Sequence, residues 1–281
     1  MKKNAMSFKA IINNIAKENK ISAQSVLQTY MLERLLERIS VSQYKDKFIL
    51  KGGMLISAIL GIETRTTMDM DTTIKGVVLE KDSIREVVQQ ICEIDLDDDI
   101  TLSLTKVEDI RKNDEYGGFR ITIKAKYNNE LDVTLKIDIT TGDKITYREV
   151  KYSFTLMFEE RKIEIWAYNI ETVIAEKFES IISRGVLGTR IRDFYDVHML
   201  LKTQKRNIHN RTLKNAIIST AKHRGTLDIM QDWESVVTML RTNAKMRAQW
   251  KKYKINNFYA DGIDFEDLMD SIQIVGEIFT N

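Results

Sequence analysis

From Ile170 to the C-terminus the apolar residues recur at helical spacing, whereas between Phe48 and Trp166 short extended segments dominate. That change of period divides the 281 residues into a strand-bearing part and a helical part. A hydrophobic content of 43% gives each part enough apolar surface for a core of its own. The expected class is α+β: a mixed β-sheet domain with flanking and N-terminal helices over residues 1–168, followed by a helical domain over 169–281. Proline is absent, so these boundaries rest on glycine, polar clusters and period alone. No internal repeat or low-complexity tract interrupts the pattern.

Within the first part, Val26, Leu27, Tyr30, Met31, Leu35 and Ile39 predict an amphipathic helix for which Ser22 supplies the N-cap. Phe48 to Leu50 read as a short strand that stops at Gly52 and Gly53, and Met54 to Leu60 as a helix. An extended segment follows at Met68 to Thr72, then a helix from about Asp82 to Ile94 and an acidic polar loop at Asp95 to Asp99. Strands are expected at Thr101 to Val107, Phe119 to Tyr127, Leu131 to Thr140, Tyr152 to Phe158 and Ile163 to Trp166. In the third of these, Leu131, Val133, Leu135, Ile137 and Ile139 alternate with polar neighbours, which defines a half-buried strand with one polar face.

Charge and cysteine usage narrow the class of function. The 43 basic and 41 acidic residues give a net charge of +2, so no global field draws the protein to nucleic acid. Cys92 is the one cysteine, which excludes an internal disulfide framework and suits a cytoplasmic protein. It lies among Val88 and Ile91 on an apolar helix pattern, as a buried thiol does. The N-terminal MKKNAMSFKAIINNIAKENK has no apolar h-region, and no run approaches the roughly 20 apolar residues of a membrane span, so neither export nor membrane insertion is expected. His198, His209 and His223 lack ligand spacing, and Asp95 to Asp99 lacks the glycine and spaced ligands of an EF-hand loop.

Asp69 and Asp71 are two residues apart, so on a strand both carboxylates share one face while Met68 and Met70 take the other. A lone Asp-x-Asp most often marks solvated surface aspartates. It gains chemical meaning if a third carboxylate joins it, because phosphoryl and nucleotidyl transfer exploit Mg²⁺ held by hard oxygen ligands. Asp138, on the polar face with Lys136 and Thr140, is the candidate, provided its strand lies beside the first. Gly52 and Gly53 at the start of a helix offer unobstructed backbone to a phosphate, with Lys51 and Arg65 as nearby cations.

The order of these elements resembles a known family. LKGGMLISAILGIETRTTMDMD is similar to the first motif of the AbiEii/AbiGii toxins of the nucleotidyltransferase superfamily, in which a glycine pair precedes an Asp-x-Asp strand. LKIDI resembles the strand that carries the family's third acid, and ETVIAEKFESIISRGVLGTRIRDFYDVHML resembles its later helical motif. The similarity spans about residues 45 to 202. Thr67 stands where many relatives have serine and keeps the hydroxyl. The resemblance implies a nucleotidyltransferase-like sheet domain with Asp69, Asp71 and Asp138 as catalytic metal ligands for one or two Mg²⁺ ions. It adds Lys177 and Asp193 as catalytic residues from the helical part. Lys51, Gly52, Gly53, Arg65, Thr67, Lys136 and Arg192 would meet the NTP, GTP being one candidate. Without the resemblance, Lys177 and Asp193 read as an interhelical salt bridge. It further implies a toxin–antitoxin system with an antitoxin from an adjacent gene, growth arrest and a part in abortive phage infection. Tyr195, between the acids of the helical motif, is expected in the core.

Between Asp196 and Asp228 there is no acidic residue, while Lys202, Lys205, Arg206, Arg211, Lys214, Lys222 and Arg224 supply seven positive charges. A second acid-free stretch holds Arg241, Lys245, Arg247, Lys251, Lys252 and Lys254, interleaved with Trp250 and Tyr253. Two readings fit: solvated helix faces, or a phosphate-tracking surface with stacking groups. On the second, Lys202, Lys205, Arg206, Arg211, Lys245, Arg247, Lys251 and Lys252 would bind an RNA acceptor such as the tRNA 3′ end. The competing functions are a catalytically inactive nucleotide- or RNA-binding module, transfer to a protein acceptor, and a structural partner.

Overall fold

The computed structural model describes residues 5–77, 80–110 and 117–281. The chain forms two compact units, one of Met1–Asp143 with Val150–Ala167, the other of Lys144–Glu149 with Tyr168–Asn281. The first unit runs α1 (Ala5–Glu18), α2 (Ala23–Val41), β1 (Phe48–Lys51), α3 (Gly52–Leu60), β2 (Asp69–Ile74), α4 (Lys81–Cys92), β3 (Ile100–Ile110), β4 (Gly118–Tyr127), β5 (Leu131–Thr140), β6 (Val150–Thr155) and β7 (Lys162–Ala167). Its strands form one seven-stranded sheet in the order β3-β4-β5-β2-β1-β7-β6. The β2/β5 and β1/β7 pairs are parallel and the others antiparallel, so the sheet is mixed.

Alternation decides which face of the sheet is covered. Val133, Leu135, Ile137 and Ile139 of β5 and Phe119, Ile121, Ile123 and Ala125 of β4 are buried, while their neighbours Arg120, Lys124, Asp132 and Lys136 are exposed. Burial of a Leu, Ile or Phe side chain contributes about 1.5–3 kcal/mol, so a register slip by one residue, which would turn this whole set outward, is strongly disfavoured.

Helix α2 begins as expected, with the Ser25 amide donating to the Ser22 hydroxyl at 3.0 Å. Its apolar positions enter the core as their spacing predicts, and the burial goes further than an amphipathic pattern requires. Glu33, Arg34, Glu37 and Arg38 are all buried together with the apolar positions. The helix tolerates these charges because they are paired. Arg38 makes a bidentate bridge to Asp98 (2.8 and 2.9 Å) in the acidic loop, Arg34 reaches Glu159 at 3.0 Å, and Arg161 reaches Glu37 at 2.6 Å. Glu33 accepts from the Met157 amide at 2.7 Å, and burial still pushes its carboxyl up to about 7.

The strand expected to reach Phe158 ends at Thr155. Phe158 adopts a positive φ of 66° in the β6–β7 turn, and its ring stacks on Tyr30 at 5.3 Å, so the apolar run there packs on α2 and does not extend the sheet. Cys92 is buried, and burial raises its thiol to about 12, out of the nucleophilic range.

The second unit is helical, with α5 (Ile170–Arg184), α6 (Ile191–Gln204), α7 (Asn210–His223), α8 (Leu227–Gln231), α9 (Trp233–Thr242), α10 (Ala244–Asn256) and α11 (Phe265–Thr280). Asn169 caps α5 by accepting from the Thr172 amide at 2.8 Å, a contact type that stabilises a helix by about 1 kcal/mol. Tyr195, Trp250, Tyr253 and Tyr259 form an aromatic cluster with ring centroids 5.3–6.4 Å apart. Tyr195 is therefore core, as its spacing predicts. Trp250 and Tyr253 correct the sequence reading: both are buried, and the Trp250 indole donates to the Ile263 carbonyl at 3.1 Å, so neither is an exposed stacking platform. Among the described residues no helix is long and apolar enough to cross a membrane.

Candidate active site

The sheet register assembles the acidic residues. Asp71 of β2 pairs with Asp138 of β5, and Asp69 pairs with Lys136 one step away. Partners across a ladder point to the same face, at an interstrand spacing of about 4.8 Å. Asp69, Asp71 and Asp138 thus share one face, as the sequence reading required. The same row continues to Lys51 of β1 on one side and Arg120 of β4 on the other. Met70 is buried on the opposite face, but Met68 precedes the strand and is 44% exposed, so the expected sharing of that face by both methionines holds within the strand for Met70 alone.

The diglycine is shaped around Asp71. Gly52 has φ +64°, and a Cβ there would sit 2.1 Å from Asp71 Oδ2. A Cβ at Gly53 would come within 2.7 Å of the Thr67 hydroxyl and 3.3 Å of an Arg65 nitrogen. Only glycines let the start of α3 approach this closely. The Gly53 amide makes a long contact of 3.4 Å to Asp71 Oδ2, which places that carboxylate at the positive end of the α3 dipole. The Thr67 hydroxyl donates to the Asp69 carbonyl at 3.1 Å and so ties down the entry to β2. Arg65 is buried and donates to the Thr66 carbonyl.

Two contacts on this face involve residues that sequence reasoning missed. Arg120 grips Asp138 with two parallel bonds, Nε to Oδ1 and a terminal nitrogen to Oδ2, both 2.8 Å. Lys51 is buried and donates to Asp143 at 2.5 Å and to Thr140 at 2.7 Å. Burial opposes ionisation of Asp143, yet the Lys51 charge and the hydrogen bonds of Lys51 and Thr140 win and hold its carboxyl at about 2. The Asp69 carboxyl is raised above its ordinary value, first by burial and then by repulsion from Asp71 and Asp138, against the opposing pull of Lys136 and Arg120.

Such a donor set fits a divalent cation. Asp69 and Asp71 are adjacent hard oxygen donors whose mutual repulsion a cation would relieve. Among the described residues no group of three Asp, Glu, His or Cys side chains is already closed into a metal cage. The third carboxylate, Asp138, is turned to Arg120.

In the helical unit, Lys177 of α5 bridges Asp193 at 2.6 Å and Asp196 at 2.8 Å on α6, all three largely buried, and Arg190 reaches Asp193 at 3.3 Å. Burial disfavours the Lys177 charge, but the two aspartates outweigh it and raise its pKa. Arg192 is exposed on the same helix. Lys202, Lys205, Arg206, Arg211, Lys245, Lys251 and Lys252 are also exposed. Arg247 is exposed but donates to Glu266 at 2.5 Å, and Arg241 is held by Glu266 and Asp270 at 2.6 and 2.9 Å.

Comparison with known families decides where this geometry belongs: residues 34–271 match the family model of the AbiEii nucleotidyl transferase toxins of type IV toxin–antitoxin systems. The chain belongs to the AbiEii family. Two solved structures share the fold. One is an H. pylori protein described as a candidate nucleotidyltransferase, 16% identical, covering 92% of this chain and 98% of its own, with a TM-score of 0.50. The other is JHP933 from Helicobacter pylori, 15% identical, covering 92% and 94%, with a TM-score of 0.50. Comparison with curated proteins gives no match. The α+β class with its seven-stranded mixed sheet is thus that of an AbiEii nucleotidyltransferase, as the motifs implied.

Proposed function

We propose that this AbiEii protein transfers a nucleoside monophosphate from an NTP to an RNA acceptor such as the tRNA 3′ end, with Mg²⁺, and that it arrests growth in the cytoplasm during phage abortive infection until an antitoxin counters it. The observation that carries the catalytic part is the β2/β5 register, which sets Asp69, Asp71 and Asp138 on one face beside the Gly52 turn. Asp69 and Asp71 would hold the cation, with Asp138 as the third ligand. When bound, the ion supplies charge neutralisation and orientation at the transferring phosphoryl group.

The remaining steps fall to side chains and backbone of this chain. The N-terminus of α3, with Gly52 and Gly53 stripped of side chains, offers a landing place for phosphate oxygens. Lys136, exposed on β5 beside Asp69, adds positive charge to the same face. Asp138 would also accept a proton from an attacking hydroxyl. Lys177 and Asp193 are the helical unit's candidate catalytic residues, and its basic segment Lys202 to Arg211 offers an acceptor a run of exposed cations.

Purified protein incubated with each α-labelled NTP, Mg²⁺ and total RNA tests the reading. A labelled RNA whose mass increases by one or more nucleotides, absent with Asp69→Asn, supports it. Label on protein alone would move the assignment to a protein acceptor, and binding without transfer would make the chain an occupancy module.

A further inference from the structure

The proposed chemistry leaves Arg120 of the acidic face without a task. Its partner is the carboxylate that a third metal ligand must supply, and both oxygens of Asp138 are occupied by the guanidinium. The bridge is half-open to water, with side-chain exposures of 46% for Arg120 and 23% for Asp138, so it is not sealed in a core. Water reaches both partners, so although the bidentate geometry makes the pair stronger than a simple surface bridge, an incoming divalent charge can compete for the carboxylate. Arg120 also shares the face of all three acids, opposite Asp138, which in turn stands opposite Asp71. A divalent ion arriving among those acids meets the guanidinium charge as a competitor.

We propose that Arg120 is a displaceable counter-ion: it neutralises Asp138 while the site is empty, exchanges that carboxylate for the divalent cation, and then turns its guanidinium to the triphosphate of the NTP. The inference rests on the metal site proposed above and adds the regulation of its loading. The exchange keeps charge matched in both states. Without metal, Arg120 offsets part of the repulsion among three adjacent carboxylates. With metal, the cation does so, and the released guanidinium has a planar fork suited to phosphate oxygens. The strand geometry allows the change without a backbone shift, because Arg120 sits directly opposite Asp138 in the β4/β5 ladder and its long side chain reaches along the exposed face.

The signature is a pair of opposite effects from one substitution. Mn²⁺ binding to the full chain, followed by electron paramagnetic resonance without nucleotide, is expected to be about tenfold tighter in Arg120→Gln, because a competing charge is gone and Asp138 is available. Binding of a fluorescent NTP at saturating Mn²⁺, without acceptor, is expected to be about tenfold weaker, and Arg120→Lys should recover part of that loss. A merely structural arginine would not tighten metal binding when removed. Asp69→Asn serves as the reference. If it abolishes Mn²⁺ binding while Arg120→Gln matches the parent or binds more weakly, the exchange is refuted and the metal site stands. Tighter Mn²⁺ binding with unchanged NTP affinity would refute the transfer of the guanidinium to phosphate. Absence of Mn²⁺ binding in the parent protein would overturn both the exchange and the metal site.

Discussion

Replacing Gly52 by alanine tests whether the diglycine is shaped by the acid it faces. Two costs are separable. Alanine at φ +64° carries the left-handed penalty of about 1–2 kcal/mol. The new methyl then meets Asp71, with Oδ2 at 2.1 Å, Cγ at 2.7 Å and Cβ at 2.8 Å. Rotation about χ1 moves the carboxylate away but leaves the Asp71 Cβ in place, so β1 and β2 themselves must part. Overpacking of this kind costs about 1–3 kcal/mol, and the sum is about 2–5 kcal/mol. Gly225 supplies the control: its φ is +65° and a methyl there would meet nothing within 4 Å, so Gly225→Ala carries the conformational part alone. Urea unfolding of both variants is the assay. Gly52→Ala should lose the larger amount and should also lose Mn²⁺ binding, because Asp71 is displaced. Equal losses in the two variants, or a Gly52→Ala protein with unaltered metal binding, would refute the reasoning.

Lys177→Ala should lower stability by about 3–5 kcal/mol, since it leaves Asp193 and Asp196 buried without their shared cation, and Lys177→Arg should fold better; a fully stable Lys177→Ala measured by urea unfolding would show that the triad is not structural. Glu33→Gln should leave stability unchanged at pH 4 and raise it by about 3 kcal/mol at pH 8, a value from the shift of 4.5 to about 7. The sign follows from the raised pKa: the folded state holds the Glu33 proton more tightly, so its stabilisation is complete below the unfolded value and is lost as pH rises towards 7. Parallel pH–stability curves for parent and variant would contradict it. Charge reversal of Lys251 and Lys252, or of Lys205 and Arg206, should weaken RNA binding and reduce the salt slope by about 0.7 for each phosphate no longer neutralised, with NTP affinity intact; filter binding at several salt concentrations decides which pair lies on the RNA path. Asp69→Asn should abolish transfer and toxicity while the fold persists, which circular dichroism and a growth assay check together.

What could be read in advance follows from how local each signal is. The alternation in LDVTLKIDIT puts Asp138 on the polar face of β5 without any knowledge of its neighbours, and the Gly-Gly between strand and helix is equally local. Which strand lies beside β5 is not local, and neither is Arg120: within FRITIK it alternates outward like Lys124, and nothing marks it until the β4/β5 register sets it opposite Asp138. Asp143 is hidden for the same reason, since its partner Lys51 is 92 residues away in sequence. The burial of Glu33, Arg34, Glu37 and Arg38 in helix α2 is not legible locally, because the partners Asp98, Glu159 and Arg161 arrive from later segments. Trp250 and Tyr253 mislead: flanking lysines suggest a stacking surface, but the rings point to Tyr195 and Tyr259.

Charge pairing on the acidic face supports Asp69 and Asp71 as the place where the proposed cation would settle. The register places three basic residues beside the acids, and two are already paired: Lys51 with Asp143 and Thr140, and Arg120 with Asp138, the acid farthest from β1. Lys136 stands opposite Asp69 but is exposed, and its pull on the Asp69 carboxyl is weaker than burial and the repulsion of Asp71. Negative charge therefore accumulates at the β2 pair, beside the helix terminus that Gly52 opens. A divalent ion would relieve that excess where a further lysine would fill the space that phosphates need, so on the proposed reading the deficit of positive charge would couple metal binding to nucleotide binding.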